Sequence, residues 1–77
     1  MTPGDDELLP IGNIAKRSGV NASALRYYES LGLIESVRSA SGHRRYRRSA
    51  LRRVAYIVFA QRLGFQLEEI ASQLEGL

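Results

Sequence analysis

Two short segments with helical apolar spacing joined by a glycine turn, a pair of short polar strands around a loop of turn residues, and two further amphipathic stretches predict a mainly α fold. The architecture they predict is a winged helix-turn-helix, four short helices with a two-stranded β-hairpin as the wing. A chain of 77 residues has room for one small domain and no more. Folding at this size buries only about 60% of the extended chain's surface, so stability is modest.

The acidic opening, M-T-P-G-D-D-E, reads as a flexible lead-in over residues 1–8 and not as a signal peptide. The domain is expected over 9–75, with the helix-turn-helix at about 11–30 and the wing at about 35–47. Pro10 sets the first boundary. Ile11, Ile14 and Ala15 then follow the i, i+3, i+4 spacing of one helix face. Lys16 and Arg17 stand near the end of that helix, where cations suit the dipole. Gly19 breaks it and can take the left-handed conformation that a sharp turn requires.

Asn21 is the N-cap candidate of the next helix, Ala22–Ser30. Leu25 and Tyr28 share a packing face, with Leu31 nearby. Ser23, Arg26 and Tyr27 fall on the other side. A donor fork, a flat ring with a hydroxyl and a small polar residue near the helix start are what a reader of duplex DNA needs.

Gly32 closes this helix, and Leu33 and Ile34 are expected in the core. Glu35–Arg38 and Arg45–Arg47 are the strand candidates, on either side of S-A-S-G-H, a loop of turn residues. Val37 and Tyr46 are expected to face the core. Arg38, Arg44, Arg45 and Arg47 are expected at the edges and tip, where a ribbon can touch a sugar-phosphate backbone.

Ser49 is the N-cap candidate of the longest helix, Ala50–Leu63. Its apolar stripe is Leu51, Val54, Ala55, Val58, Phe59 and Leu63, widened by Ile57 and Ala60. Arg52 and Arg53 occupy its first turn, against the dipole, which suggests that charge is wanted beside the wing. Gly64 ends it. Leu67, Ile70, Ala71 and Leu74 give a last amphipathic helix with Glu68 and Glu69 at its favourable end. Gln66 stands where a serine cap is usual, at a cost of about 1 kcal/mol.

The net charge is +3 and the pI near 9.8. Its distribution says more. Ser36 to Leu67 contains eight arginines and no acid, while the acids sit toward the two ends. A basic block between acidic flanks reads as an anion-binding surface. Ten of the eleven basic residues are arginine, whose planar fork matches phosphate and guanine.

The absence of cysteine excludes disulfides, thiolate metal sites and a cysteine nucleophile, and it suits a cytoplasmic protein. No apolar run approaches the roughly 20 residues of a membrane span. His43, the single histidine, lies in a predicted exposed loop and reads as a polar residue or a phosphate donor. With no phosphate loop, carboxylate pair or nucleophile constellation, an enzyme is not expected, and neither is a catalytic residue, a metal or a cofactor.

R-Y-Y-E followed by G-L-I, then G-H-R-R-Y, then Q-R-L-G-F-Q-L-E-E-I, form an ordered set from Leu9 to Leu74. In these motifs the chain resembles the N-terminal DNA-binding domain of the MerR family of bacterial transcription regulators, and it is most similar to SoxR-type members. The resemblance implies a winged helix-turn-helix that binds a pseudo-palindromic promoter operator as a homodimer. It implies activation by distortion of a promoter with an over-long spacer, so that RNA polymerase engages both elements. By position, Arg26 and Tyr27 would face the major groove, with Ser23 near the helix start. Tyr28 would be partly buried with its hydroxyl toward a phosphate. Arg44, Arg45 and Tyr46 would meet the backbone from the wing, with His43 beside them. Gly12 and Lys16 or Arg17 would offer amides or charge from the first helix.

The family's long dimerisation helix and effector domain lie beyond the motifs present here, so the sequence reads as a DNA-binding domain or a truncated member. SoxR-type members hold an iron-sulfur cluster through cysteines beyond this point, and none occurs here. Three other readings stand beside this one. A small excisionase-like architectural DNA binder shares the fold. A basic protein-interaction module could use the Leu67–Leu74 face. An RNA-binding module would need exposed stacking aromatics on a sheet or loop.

Overall fold

Residues 7–75 are described by a computed structural model, in which the chain runs β1 (Leu8–Leu9), α1 (Ile11–Ser18), α2 (Ala22–Ser30), β2 (Ser36–Arg38), β3 (Arg44–Arg47), α3 (Ala50–Arg62) and α4 (Leu67–Glu75). The four helices fall where the apolar spacing predicts them. The sheet has three antiparallel strands in the order β1-β3-β2, not two. The additional strand is Leu8–Leu9, so Leu8 belongs to the sheet and not to a lead-in. The acids Asp5 and Asp6 lie outside the described residues. Glu7 lies within them: its carbonyl accepts from the Arg48 amide at 3.0 Å, and its carboxylate lies 4.0 Å from the Arg48 guanidinium.

Register decides which side chains close the core. Leu9 and Ser36 both pair with Tyr46, so these three share one face of the sheet. Leu9 and Tyr46 are buried there. Val37 pairs with Arg45, one residue out of phase with Tyr46, and therefore points to the opposite face. Tyr46 meets its expectation. Val37 does not: it is only half-buried and lies near Arg47 and Arg53 behind the wing.

Ile14 from α1, Leu25 and Tyr28 from α2, Leu33 and Ile34 from the connection, Val54 and Ile57 from α3, and Ile70 and Leu74 from α4 complete the core around Tyr46. α1 packs on α2, α3 and β3, and α4 packs on α3. The buried line of α3 is Ala50, Val54, Ile57 and Ala60. Leu51 and Val58 are half-buried beside it, whereas Ala55, Phe59 and Leu63 are exposed. The centre of this helix's stripe therefore runs through Val54 and Ile57, rotated away from Phe59 and Leu63.

The helix ends show which local signals act. Asn21 caps α2, accepting from the Ala24 amide at 2.8 Å. Gly19 has φ 75°, the left-handed turn between α1 and α2. Ser49 occupies the N-cap of α3 but makes no side-chain cap bond. Its carbonyl accepts from the Arg52 and Arg53 amides instead. Gln66 is not an empty cap, because the Glu69 carboxylate accepts its amide at 2.9 Å, half of a capping box. Arg53 turns back from α3, and its Nε donates to the Leu33 carbonyl at 2.8 Å. It pins the α2–β2 connection, a structural role that the charge pattern did not indicate.

Two substitutions separate backbone from packing costs. No atom lies within 4 Å of a Cβ built on Gly19, so Gly19→Ala is expected to cost only the left-handed penalty, about 1–2 kcal/mol. Leu25→Ala removes a fully buried side chain and is expected to cost about 2–5 kcal/mol. The shift in urea midpoint at unchanged slope measures both.

Candidate nucleic-acid interface

α2 has two chemically distinct faces. Leu25 is fully buried and Tyr28 is 6% exposed, whereas Tyr27, one residue away, is 55% exposed. Ser23 and Arg26 are exposed with Tyr27. Among the described residues no hydrogen bond or ion pair to the exposed Arg26 guanidinium is present, and its charge acts on the Tyr46 phenol. Lys16 and Arg17 are exposed at the end of α1.

Beyond α2 stands the β2–β3 hairpin. Its tip is closed by the Gly42 amide on the Ser39 carbonyl and the Ser39 amide on the His43 carbonyl, both at 2.8 Å. Gly42 has φ 84°, which favours glycine at this turn. His43 is exposed at the tip, its Nδ1 3.1 Å from the Ser41 hydroxyl. Arg38 braces the tip by donating to the Gly42 carbonyl at 3.0 Å. Arg44 is exposed, and Arg45 is half-buried on the opposite face of β3.

Two of the residues expected at a phosphate also bond within the protein. The Tyr28 hydroxyl donates to Gln61 Oε1 on α3 at 3.0 Å. Tyr46 is fully buried, and its hydroxyl donates to Glu29 Oε1 at 2.6 Å. Both rings close the core, and both hydroxyls find partners inside the protein because a buried hydroxyl needs one.

Glu29 joins the two halves of this surface. From the last turn of α2 its Oε1 accepts from Tyr46 on β3, and its Oε2 accepts from the Ser36 hydroxyl on β2 at 2.7 Å. The Arg44 guanidinium lies 3.8 Å from Oε1. Burial raises the Glu29 carboxyl, but the hydrogen bonds from Tyr46 and Ser36 and the Arg44 charge outweigh it, so its pKa lies below the ordinary value. Burial, the hydrogen bond to Glu29 and that carboxylate's charge push the Tyr46 phenol up to about 12. Glu29, Ser36, Gln61 and Arg53 were not among the sequence candidates. The one available signal was Glu29 itself, a lone acid on a helix whose other polar residues suit an anion.

The sign of the pH dependence follows. A raised phenol pKa means that Tyr46 contributes fully below its ordinary pKa of 10.0 and loses that contribution as pH rises toward about 12. The lowered carboxyl of Glu29 contributes above the ordinary carboxylate value and is lost as pH falls through its own lower value. The stability gap between wild type and Tyr46→Phe is expected to be level from neutral pH to pH 10 and to close between pH 10 and about 12. Urea unfolding across that range measures it, and a gap that stays level would contradict the Tyr46–Glu29 bond.

Comparison with known proteins follows the same lines. Residues 9–77 match the family described as MerR HTH family regulatory protein. The chain is 51% identical over 73 residues to the HTH-type transcriptional activator SoxR homolog of Chromobacterium violaceum, covering 95% of this chain and 49% of that protein. It is 46% identical over 61 residues to the mercuric resistance operon regulatory protein of Bacillus cereus, covering 78% and 46%. It is 41% identical over 66 residues to the HTH-type transcriptional activator TipA of Streptomyces coelicolor, covering 84% and 26%. The chain thus spans half or less of the length of these relatives, which are transcription regulators and not enzymes. With four helices, a small antiparallel sheet and this extent of match, the chain belongs to the MerR HTH family of regulatory proteins.

Proposed function

We propose that the chain reads double-stranded DNA as the operator-recognition domain of a MerR-type transcription regulator. In this reading α2 enters the major groove with Ser23, Arg26 and Tyr27 toward base edges. The wing lies on the neighbouring sugar-phosphate backbone through His43, Arg44 and Arg45. Lys16 and Arg17 add charge from α1. Tyr46 acts from the core, and the Tyr28 hydroxyl, held by Gln61, stands at the edge of this surface as the phosphate contact of α2. The observation that carries the reading is the division of α2, with Leu25 and Tyr28 buried and Arg26 and Tyr27 exposed beside an arginine-bearing hairpin.

The whole protein acts as a homodimer on a pseudo-palindromic promoter, through a helix beyond this sequence. It distorts a promoter whose spacer is too long, so that RNA polymerase engages both elements. Family membership supports this, as does the physical need for firm contacts at each half-site to offset the cost of deforming the duplex. A promoter reader works in the cytoplasm. Among the described residues no helix is long and apolar enough to cross a membrane.

Anisotropy salt titrations test the reading, with a palindromic promoter duplex, a random duplex and duplex RNA. The chain is used alone and fused after Leu77 to a dimerising coiled coil. Tightest binding to the promoter duplex is expected, with log K falling as log salt rises. Equal affinity for promoter and random DNA is the outcome of an architectural binder, and no binding by the dimerised form overturns DNA binding. Arg26→Ala is expected to cost about 1–3 kcal/mol on the preferred site and little on random duplex. Arg45→Ala is expected to weaken both alike and to flatten the salt slope by about one unit.

A further inference from the structure

We infer that Glu29 is a positioning residue that holds the wing against the recognition helix, so that the phosphate contacts of the one are made in register with the base contacts of the other. This rests on the DNA-binding reading above. Each carboxylate oxygen grips a different strand, Oε1 taking the Tyr46 hydroxyl of β3 at 2.6 Å and Oε2 the Ser36 hydroxyl of β2 at 2.7 Å. Two strands held from one point cannot swing about either bond alone. α2 runs close to α1 and not along the wing strands, so backbone packing does not supply this tie.

The position of the charge points the same way. Glu29 lies three residues after Arg26, on the helix that would face phosphates, and its carboxylate is 3.8 Å from Arg44. Glu29 is the sole acid between Leu8 and Ile34. A carboxylate there repels DNA by simple charge. A role in satisfying the buried Tyr46 hydroxyl alone would leave its second oxygen and Ser36 unexplained. A grip on both strands uses every contact.

Charge and position predict opposite results for Glu29→Gln. Removing a negative charge beside phosphates tightens binding if charge is all that Glu29 contributes. Loss of one acceptor loosens the wing and weakens binding if Glu29 positions it. Tyr46→Phe breaks the same tie while keeping both the ring in the core and the Glu29 charge. The experiment measures promoter-duplex affinity of the chain fused to a dimerising coiled coil, at a temperature where circular dichroism shows every variant folded. The variants are Glu29→Gln and Tyr46→Phe, each alone, with Arg45→Ala and with Arg26→Ala. The Arg45 guanidinium bonds the Arg44 carbonyl and neither Glu29 nor Tyr46, so a background that acts only through folding stability leaves its cost unchanged while every variant is folded.

Weaker binding by both backgrounds is expected, with the fold-cost of Arg45→Ala reduced roughly threefold or more in each. The cost of Arg26→Ala is expected to persist. Tighter binding by Glu29→Gln, or an undiminished Arg45→Ala cost in both backgrounds, overturns the positioning role and leaves the DNA-binding reading intact. Wild-type protein that binds no duplex overturns both.

Discussion

The fold and the candidate surface meet at one carboxylate. Tyr46 is the largest fully buried side chain among the described residues, and it belongs to the core cluster with residues of all four helices. The ring belongs in an apolar core, but its hydroxyl does not unless something accepts its proton. Glu29 meets that need from α2, and its second oxygen reaches β2 through Ser36. The carboxylate is itself taken partly out of water, which is tolerable because two donors and the Arg44 charge surround it. Core closure and the placement of the wing beside α2 are therefore one event. Loss of the clasp leaves a buried phenol without an acceptor and a hairpin with less to fix its angle.

What the sequence revealed followed from periodicity and local backbone chemistry. The four helices have apolar spacing repeated over at least two turns, and Gly19 and Asn21 act through their own backbone or nearest neighbours. The parts that were not legible depend on partners distant in sequence. β1 is two residues long, too short for alternation to register, and exists because β3 offers it an edge. Val37 was placed in the core because it is apolar, but pairing with Arg45 turns it to the other face. Phe59 and Leu63 joined the α3 stripe by spacing, yet the buried line runs through Ala50, Val54, Ile57 and Ala60. On the surface, the exposure of Ser23, Arg26 and Tyr27 followed from helical phase alone. The fate of the Tyr28 and Tyr46 hydroxyls did not, since Gln61 is 33 residues from the one and Glu29 is 17 from the other.

The abundance of arginine gains a second meaning from these contacts. Read as charge, the block from Arg38 to Arg62 is an anion-binding surface. Several of its guanidiniums already hold the protein: Arg38 braces the wing tip, Arg44 lies against Glu29, Arg45 reaches the Arg44 carbonyl, and Arg53 holds the Leu33 carbonyl. A guanidinium has five N–H donors in a rigid fork, so one bond to a carbonyl leaves most of them unused. Lysine has a single rotating ammonium on a flexible stem and cannot hold an anchored edge and a free edge in a fixed relation. Arg38, Arg44 and Arg45 are anchored at exposed carbonyls or at a loose ion pair, which orients the fork at little cost in free energy. Arg53 is different, being part-buried and committed to the connection between α2 and β2. Counting arginines therefore gives the charge of this surface but understates its order, since a bond to a neutral carbonyl orients a guanidinium without neutralising it. On the hairpin, Arg38 and Arg45 stay fully charged while one edge of each fork is already fixed, and only Arg44 shares its charge with an acid.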